Sequence, residues 1–119
     1  MKNILIIEDE ILIQQSLKKM LERKGFTVET SASGKNGINL LIQNNYDRII
    51  CDLMLQDISG FDVIEEAKKK YSLEEIGHKF VIMTAYNSPQ VLARANSYKC
   101  RVLNKPFDDL EQALQLMTE

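Results

Sequence analysis

Glu8, Asp9 and Glu10 follow directly on four apolar residues, 4–7, with no basic residue beside them. Asp52 closes the apolar run 49–51, Thr84 closes 80–83, and Lys105 lies two residues beyond Val102 and Leu103. Carboxylates gathered at one place repel each other unless protons or a divalent cation neutralise them. A hydroxyl and an ammonium at the same place add a hydrogen-bond donor and a counter-charge. Taken singly, each residue has a plainer reading. The three acids could favour a helix N-terminus, where negative charge contributes about 0.3–1 kcal/mol. Asp52 could be a turn residue, Thr84 a strand threonine and Lys105 one more solvated lysine. What decides is whether the chain brings them together.

Short β-prone runs alternate with helix-like stretches. Residues 4–7, 26–30, 49–51, 80–83 and 102–103 predict five strands, several apolar without alternation, as in a parallel sheet covered on both faces. Ile13, Leu17, Met20 and Leu21 fall on one helical stripe, with Gly25 as its stop. Ile38, Leu41 and Ile42 mark a second helix, and a third begins after Ser59-Gly60 with Phe61, Ile64 and Ala67 inward. Ser88-Pro89 reads as a cap and first-turn proline for a fourth helix, and Asp108-Asp109 opens a fifth carrying Leu110, Ala113, Leu114 and Met117.

The expected fold class is therefore α/β, a (βα)5 chain. Right-handed crossovers with helices on both faces make it a flavodoxin-like, doubly wound five-stranded parallel sheet of order 2-1-3-4-5. Its ligand site lies beyond the carboxyl ends of the strands. The ends of strands 1, 3, 4 and 5 then gather Glu8, Asp9, Asp52, Thr84 and Lys105 along one edge.

With these positions established, the chain resembles a response-regulator receiver domain of two-component signalling over essentially its whole length. The resemblance rests on Glu8-Asp9 after strand 1, Asp52 within DLMLQDISG, Thr84-Ala85 after strand 4, and KPF at Lys105-Pro106-Phe107. Each element is weak alone; four of them at strand ends in the right order are specific. The strand order is also that of this family, so that part of the topology is partly taken from the resemblance.

The resemblance implies a single receiver domain over residues 1–119, with no output domain. It implies Mg²⁺, for which Mn²⁺ can substitute, held by Asp9 and Asp52, by Glu8 through a water, and by the backbone carbonyl of Met54. Such an oxygen-only set suits a hard octahedral ion that shares its shell with phosphate. Asp52 would be the phosphoacceptor, taking a phosphoryl group from a phosphohistidine on a sensor histidine kinase or phosphotransfer protein. Lys105 would offset charge on the transferring oxygens. Thr84 and the Ala85 backbone N–H would bind the product and shift the loop between strand 4 and the next helix, signalling to a downstream protein or output domain. This is a regulatory phosphoacceptor and not a turnover enzyme. Glu10 is left to the first turn of helix 1, and Lys105-Pro106 is a place for a cis bond.

Three departures stand out. Val102 occupies the position, three before the lysine, where receivers carry an aromatic switch residue, which throws weight onto the loop around Thr84 and Tyr86, with Tyr98 a second possible substitute. Gln56 stands where the family often has proline and is expected to loosen its loop without touching the chemistry of Asp52. Met54 and Tyr86, two residues past Asp52 and Thr84, are bulky and poor water-positioning groups, so a long-lived phosphoryl group is expected.

Fifteen Lys plus Arg against 17 Asp plus Glu give a net charge of -2, so no basic field recommends nucleic acid or an anionic membrane as a partner. Cys51 and Cys100 read as free thiols in a reducing compartment, and with no bilayer-length apolar stretch the expected location is cytoplasmic. His78, the one histidine, reads as a surface residue in a polar loop near Gly77. A flavin binder of the same architecture would need backbone donors in the first loop, which here is acidic and lacks glycine. A dehalogenase-type phosphatase would need an acid where Met54 stands. A degenerate receiver, working as a phosphorylation-independent interaction module, is the remaining alternative.

Overall fold

The first strand, β1 (Asn3–Ile7), is buried from Ile4 onward and has partners on both sides. In this computed structural model, which describes residues 2–119, it pairs in parallel with β2 (Thr27–Ser31) and β3 (Arg48–Asp52). Beyond β3 come β4 (Phe80–Thr84) and β5 (Arg101–Asn104), giving the order β2-β1-β3-β4-β5. This is the expected doubly wound sheet.

Alternation along each strand sends side chains to two cores. Ile4, Ile6, Ile50, Val81, Met83 and Leu103 point to one face, under α1 (Ile11–Arg23) and α6 (Leu110–Thr118). Leu5, Ile7, Ile49, Cys51, Phe80 and Ile82 point to the other, under α2 (Gly34–Gln43), α3 (Gly60–Ala67), α4 (Leu73–Lys79) and α5 (Pro89–Ser97). Each fully buried Ile, Leu or Phe contributes roughly 1.5–3 kcal/mol of transfer free energy, so the strand runs are the main source of stability.

Several helix signals sit where the residue types place them. Gly25 takes φ 98° after α1, a left-handed conformation that favours glycine. Ser59 and Asp62 form a capping box on α3, Ser88 accepts from Val91 N ahead of Pro89, and Asp109 accepts from Gln112 N. Two arginines finish the last helix: Arg48 donates to Met117 O at 2.8 Å and Arg101 to Leu116 O at 3.1 Å.

Three expectations are corrected. Among the described residues there are six helices and not five, because Leu73–Lys79 forms α4 with its own capping box, Ser72 and Glu75. His78 therefore lies in the last turn of that helix and not in a loop, although it is exposed. Ile42 is 44% exposed and does not belong to the core stripe of α2. Asp57, in the turn before α3, also reaches across to α2, where its carboxylate accepts from Gly34 N and Lys35 N, both at 2.9 Å.

Candidate functional site

The carboxyl ends of β1 and β3 place three acids together. Glu8 is fully buried, Asp52 is 4% exposed and Asp9 is half-buried, and one oxygen from each lies within 4.8 Å of the others. Each carboxylate has one oxygen engaged by a backbone N–H. Glu10 N donates to Glu8 Oε2 at 3.2 Å, Gln56 N to Asp9 Oδ2 at 3.0 Å, and Met54 N to Asp52 Oδ1 at 3.3 Å. The carboxylates are thereby oriented, and Glu8 Oε1 and Asp52 Oδ2 are left to face Lys105.

Lys105 enters that space from the end of β5. Its Nζ lies 2.7 Å from Glu8 Oε1, 3.4 Å from Asp52 Oδ2 and 3.6 Å from Glu10 Oε1, with the side chain only 8% exposed. Lys105 N donates to Thr84 O at 2.9 Å, and the Lys105–Pro106 bond is cis, as expected. Burial raises the Glu8 carboxyl to about 7, with the charge of Asp52 adding to it and the Lys105 ammonium pulling the other way. For Lys105, burial works against the charged form, but the Glu8 and Asp52 carboxylates outweigh it and hold its pKa above the ordinary value. Neutralising these acids is therefore a live electrostatic demand of the site.

Thr84 is fully buried at the end of β4, and its hydroxyl is committed to its own loop. It donates to Tyr86 O at 2.7 Å and accepts from Tyr86 N at 2.9 Å. Ala85 is exposed between them, and Tyr86 and Met54 are 62% and 65% exposed. Val102 is half-buried on β5.

Tyr98 stands elsewhere. It caps the C-terminal end of α5, its hydroxyl hydrogen-bonds the Glu65 carboxylate, and its ring packs 6.0 Å from that of Phe61 on α3. It is thus tied to α3 and does not share the Thr84 loop.

Two further expectations change. Glu10 is the N-cap residue of α1, not part of its first turn, and makes no capping hydrogen bond; its carboxylate turns toward Lys105. Gln56 does touch the site, because its N–H holds Asp9, a bond that proline could not make.

One residue went unnoticed in the sequence. Gln14 is 4% exposed, and its amide Nε2 donates to the backbone carbonyl of Glu8 at 3.0 Å. Its signal was a polar residue next to the Ile13–Leu17 stripe, which pattern reading assigns to solvent.

The doubly wound sheet with acids and a lysine at its strand ends defines a receiver-type α/β domain. Residues 4–117 match the family model described as "Response regulator receiver domain". The chain is 32% identical over 118 residues to the transcriptional regulatory protein QseB of Escherichia coli O157:H7, covering 95% of this chain and 50% of that protein. It is 29% identical to the non-phosphorylated HemR receiver domain of Leptospira biflexa, with a TM-score of 0.85 over 97% of this chain and 90% of that one. It is 28% identical to the response regulator TrrA of Thermotoga maritima, solved in complex with Mg²⁺-BeF, with a TM-score of 0.75 over 98% and 99% of the two chains. The chain belongs to the response-regulator receiver family of two-component systems. It spans about half the length of several curated relatives that it matches. Among the described residues, no helix is long and apolar enough to cross a membrane.

Proposed function

We propose that this domain is a Mg²⁺-dependent phosphoacceptor whose phosphorylated residue is Asp52. The observation that carries the reading is the trio of Glu8, Asp9 and Asp52 with Lys105 against two of them. An all-oxygen cluster fits Mg²⁺, and Mn²⁺ as a substitute. Asp9 and Asp52 would hold the ion directly, Glu8 through a water, and the Met54 carbonyl would add an oxygen. When bound, the ion supplies positive charge for the carboxylates and for the oxygens of the incoming phosphoryl group.

A carboxylate oxygen of Asp52 attacks phosphorus of a phosphohistidine on a sensor histidine kinase or phosphotransfer protein. The O–P bond forms, the P–N bond breaks, and the imidazole leaves with the electron pair. Lys105, whose ammonium is already drawn toward Asp52, offsets charge on the phosphoryl oxygens. The Ala85 N–H and the Thr84 hydroxyl bind the product. Turning the Thr84 hydroxyl toward a phosphoryl oxygen means giving up its bonds to Tyr86, which frees the backbone of that loop. With Val102 too short for an aromatic switch, this release is the route to a downstream protein or output domain, in the cytoplasm.

Intact mass after incubation with acetyl phosphate and Mg²⁺ tests the reading. The expected gain is one phosphoryl group in wild type and none in Asp52→Ala. A folded wild-type sample that gains no mass with any donor refutes it. Amide exchange with a beryllofluoride phosphate mimic tests the output, and unchanged protection around residue 86 together with a change in β5 would overturn the loop route.

A further inference from the structure

The bend that carries the acid pair, residues 8–10, lacks the usual means of being held. The β1 ladder to β2 and β3 ends at Ile7, and Glu8 N still reaches Ser31 O at 3.0 Å. The helix that follows has Glu10 as its N-cap, with no side-chain capping bond. Two side-chain-to-backbone bonds hold the bend instead: Glu8 Oε2 accepts from Glu10 N, and Gln14 Nε2 donates to Glu8 O at 3.0 Å. Gln14 sits one turn into α1 and is 4% exposed. A buried amide disfavours folding unless it is hydrogen-bonded, and an apolar side chain would serve better if packing were all that was needed.

We propose that Gln14 is a positioning residue for the metal pocket, fixing the Glu8 peptide so that the Glu8 and Asp9 side chains stay aimed at Asp52. This rests on the Mg²⁺-dependent reading given above. The pocket is then held at both ends of the bend, by Gln14 at the Glu8 carbonyl and by Gln56 N at the Asp9 carboxylate. Gln14 touches no reacting atom. Its effect falls on affinity for the ion, while the rate at saturating ion is left alone.

Gln14→Met keeps the length and removes the donor. Titrating Mg²⁺ into wild type and variant by calorimetry is expected to show about tenfold weaker binding in the variant, the lower end for losing a partner that orients a ligand. Phosphorylation by acetyl phosphate is expected to need correspondingly more Mg²⁺ for half-maximal rate and to reach the wild-type maximum. Equal Mg²⁺ affinity in the two proteins overturns the proposal and leaves the phosphoacceptor reading standing, as does a lowered maximum with unchanged half-saturation. A wild type that takes up no Mg²⁺ sinks both. If the variant does not fold, the wild-type Gln14 side-chain amide decides by NMR. Slow exchange and a Mg²⁺-dependent shift tracking Glu8 and Asp9 support the role, and a freely exchanging, unshifted amide overturns it.

Discussion

Met54 and Tyr86, two residues past Asp52 and Thr84, project their side chains into solvent, 65% and 62% exposed, rather than tucking into the core. Neither offers a group that positions water, and on the proposed phosphoacceptor reading their bulk, swung over the phosphoryl group, would keep water from its line of attack. Tyr86→Ala is therefore expected to shorten the life of the phosphorylated form several-fold without slowing its formation, measured as phosphate release after the donor is removed. An unchanged release rate rules out steric shielding. The acids, Thr84 and Lys105 were legible because each lies at or within two residues of the end of an apolar run. Gln14 and the Gln56 N–H were not, because a donor aimed at a backbone carbonyl or presented by the backbone itself leaves no mark in residue type.

Helices α2, α3 and α5 are joined by polar bonds that no single element's pattern announces. Asp57 holds the first N–H groups of α2, and its carboxyl lies below the ordinary range; burial pushes it up, but the N–H groups of Lys35 and Gly34 outweigh that. Asp57→Ala removes a cap in all but chain position and should cost about 1 kcal/mol in urea unfolding, whereas no change would show that water replaces it fully. Tyr98 joins α5 to α3 through Glu65 and Phe61, with Arg94 stacked 4.6 Å over the Phe61 ring. Tyr98→Phe is expected to lower stability by about 1 kcal/mol and to speed amide exchange at the C-terminal end of α5; normal protection there would deny the link. Beside it, Gly60 lies so near β3 that a Cβ would sit 2.7 Å from Asp52 O, which fixes α3 against the site. The strands and the caps at Ser59, Ser88 and Asp109 could be read because buried runs and Ser-Gly, Ser-Pro or Asp-Asp starts are local signals, whereas the strand order leaned on handedness rules and on the resemblance. The helix Leu73–Lys79 could not, since its seven residues bury only Ile76; the Ser72-Glu75 pair was its one available sign.

Across the whole domain, the sheet is closed at its amino-terminal edge as deliberately as it is opened at the other. Asp47 accepts from Lys2 N at 2.8 Å and Asn3 N at 2.9 Å, tying the start of β1 to the loop before β3. The Asn3 and Lys2 N–H groups hold its carboxyl below the ordinary aspartate value. An acid with a depressed folded pKa adds stability that is present above its unfolded value and lost as pH falls through the folded one. Wild type should thus lose stability below pH 3.8 more steeply than Asp47→Asn, as followed by circular dichroism during acid titration; identical acid limbs would remove Asp47 from that account. At the opposite edge, charge is concentrated in place of being dispersed, with Glu8, Asp9 and Asp52 gathered at the strand ends.

The Lys105 ammonium is carried by the same backbone that carries the carboxylates' neighbours, so it cannot be diluted away. A freely diffusing cation loses its hold as it is thinned or crowded out by salt, but a tethered one keeps a fixed local concentration whatever the medium holds. Any divalent ion arriving from solution would have to compete with this built-in counterion at Glu8 and Asp52, whose share of the neutralising charge is set by covalent connectivity instead of by the surrounding electrolyte.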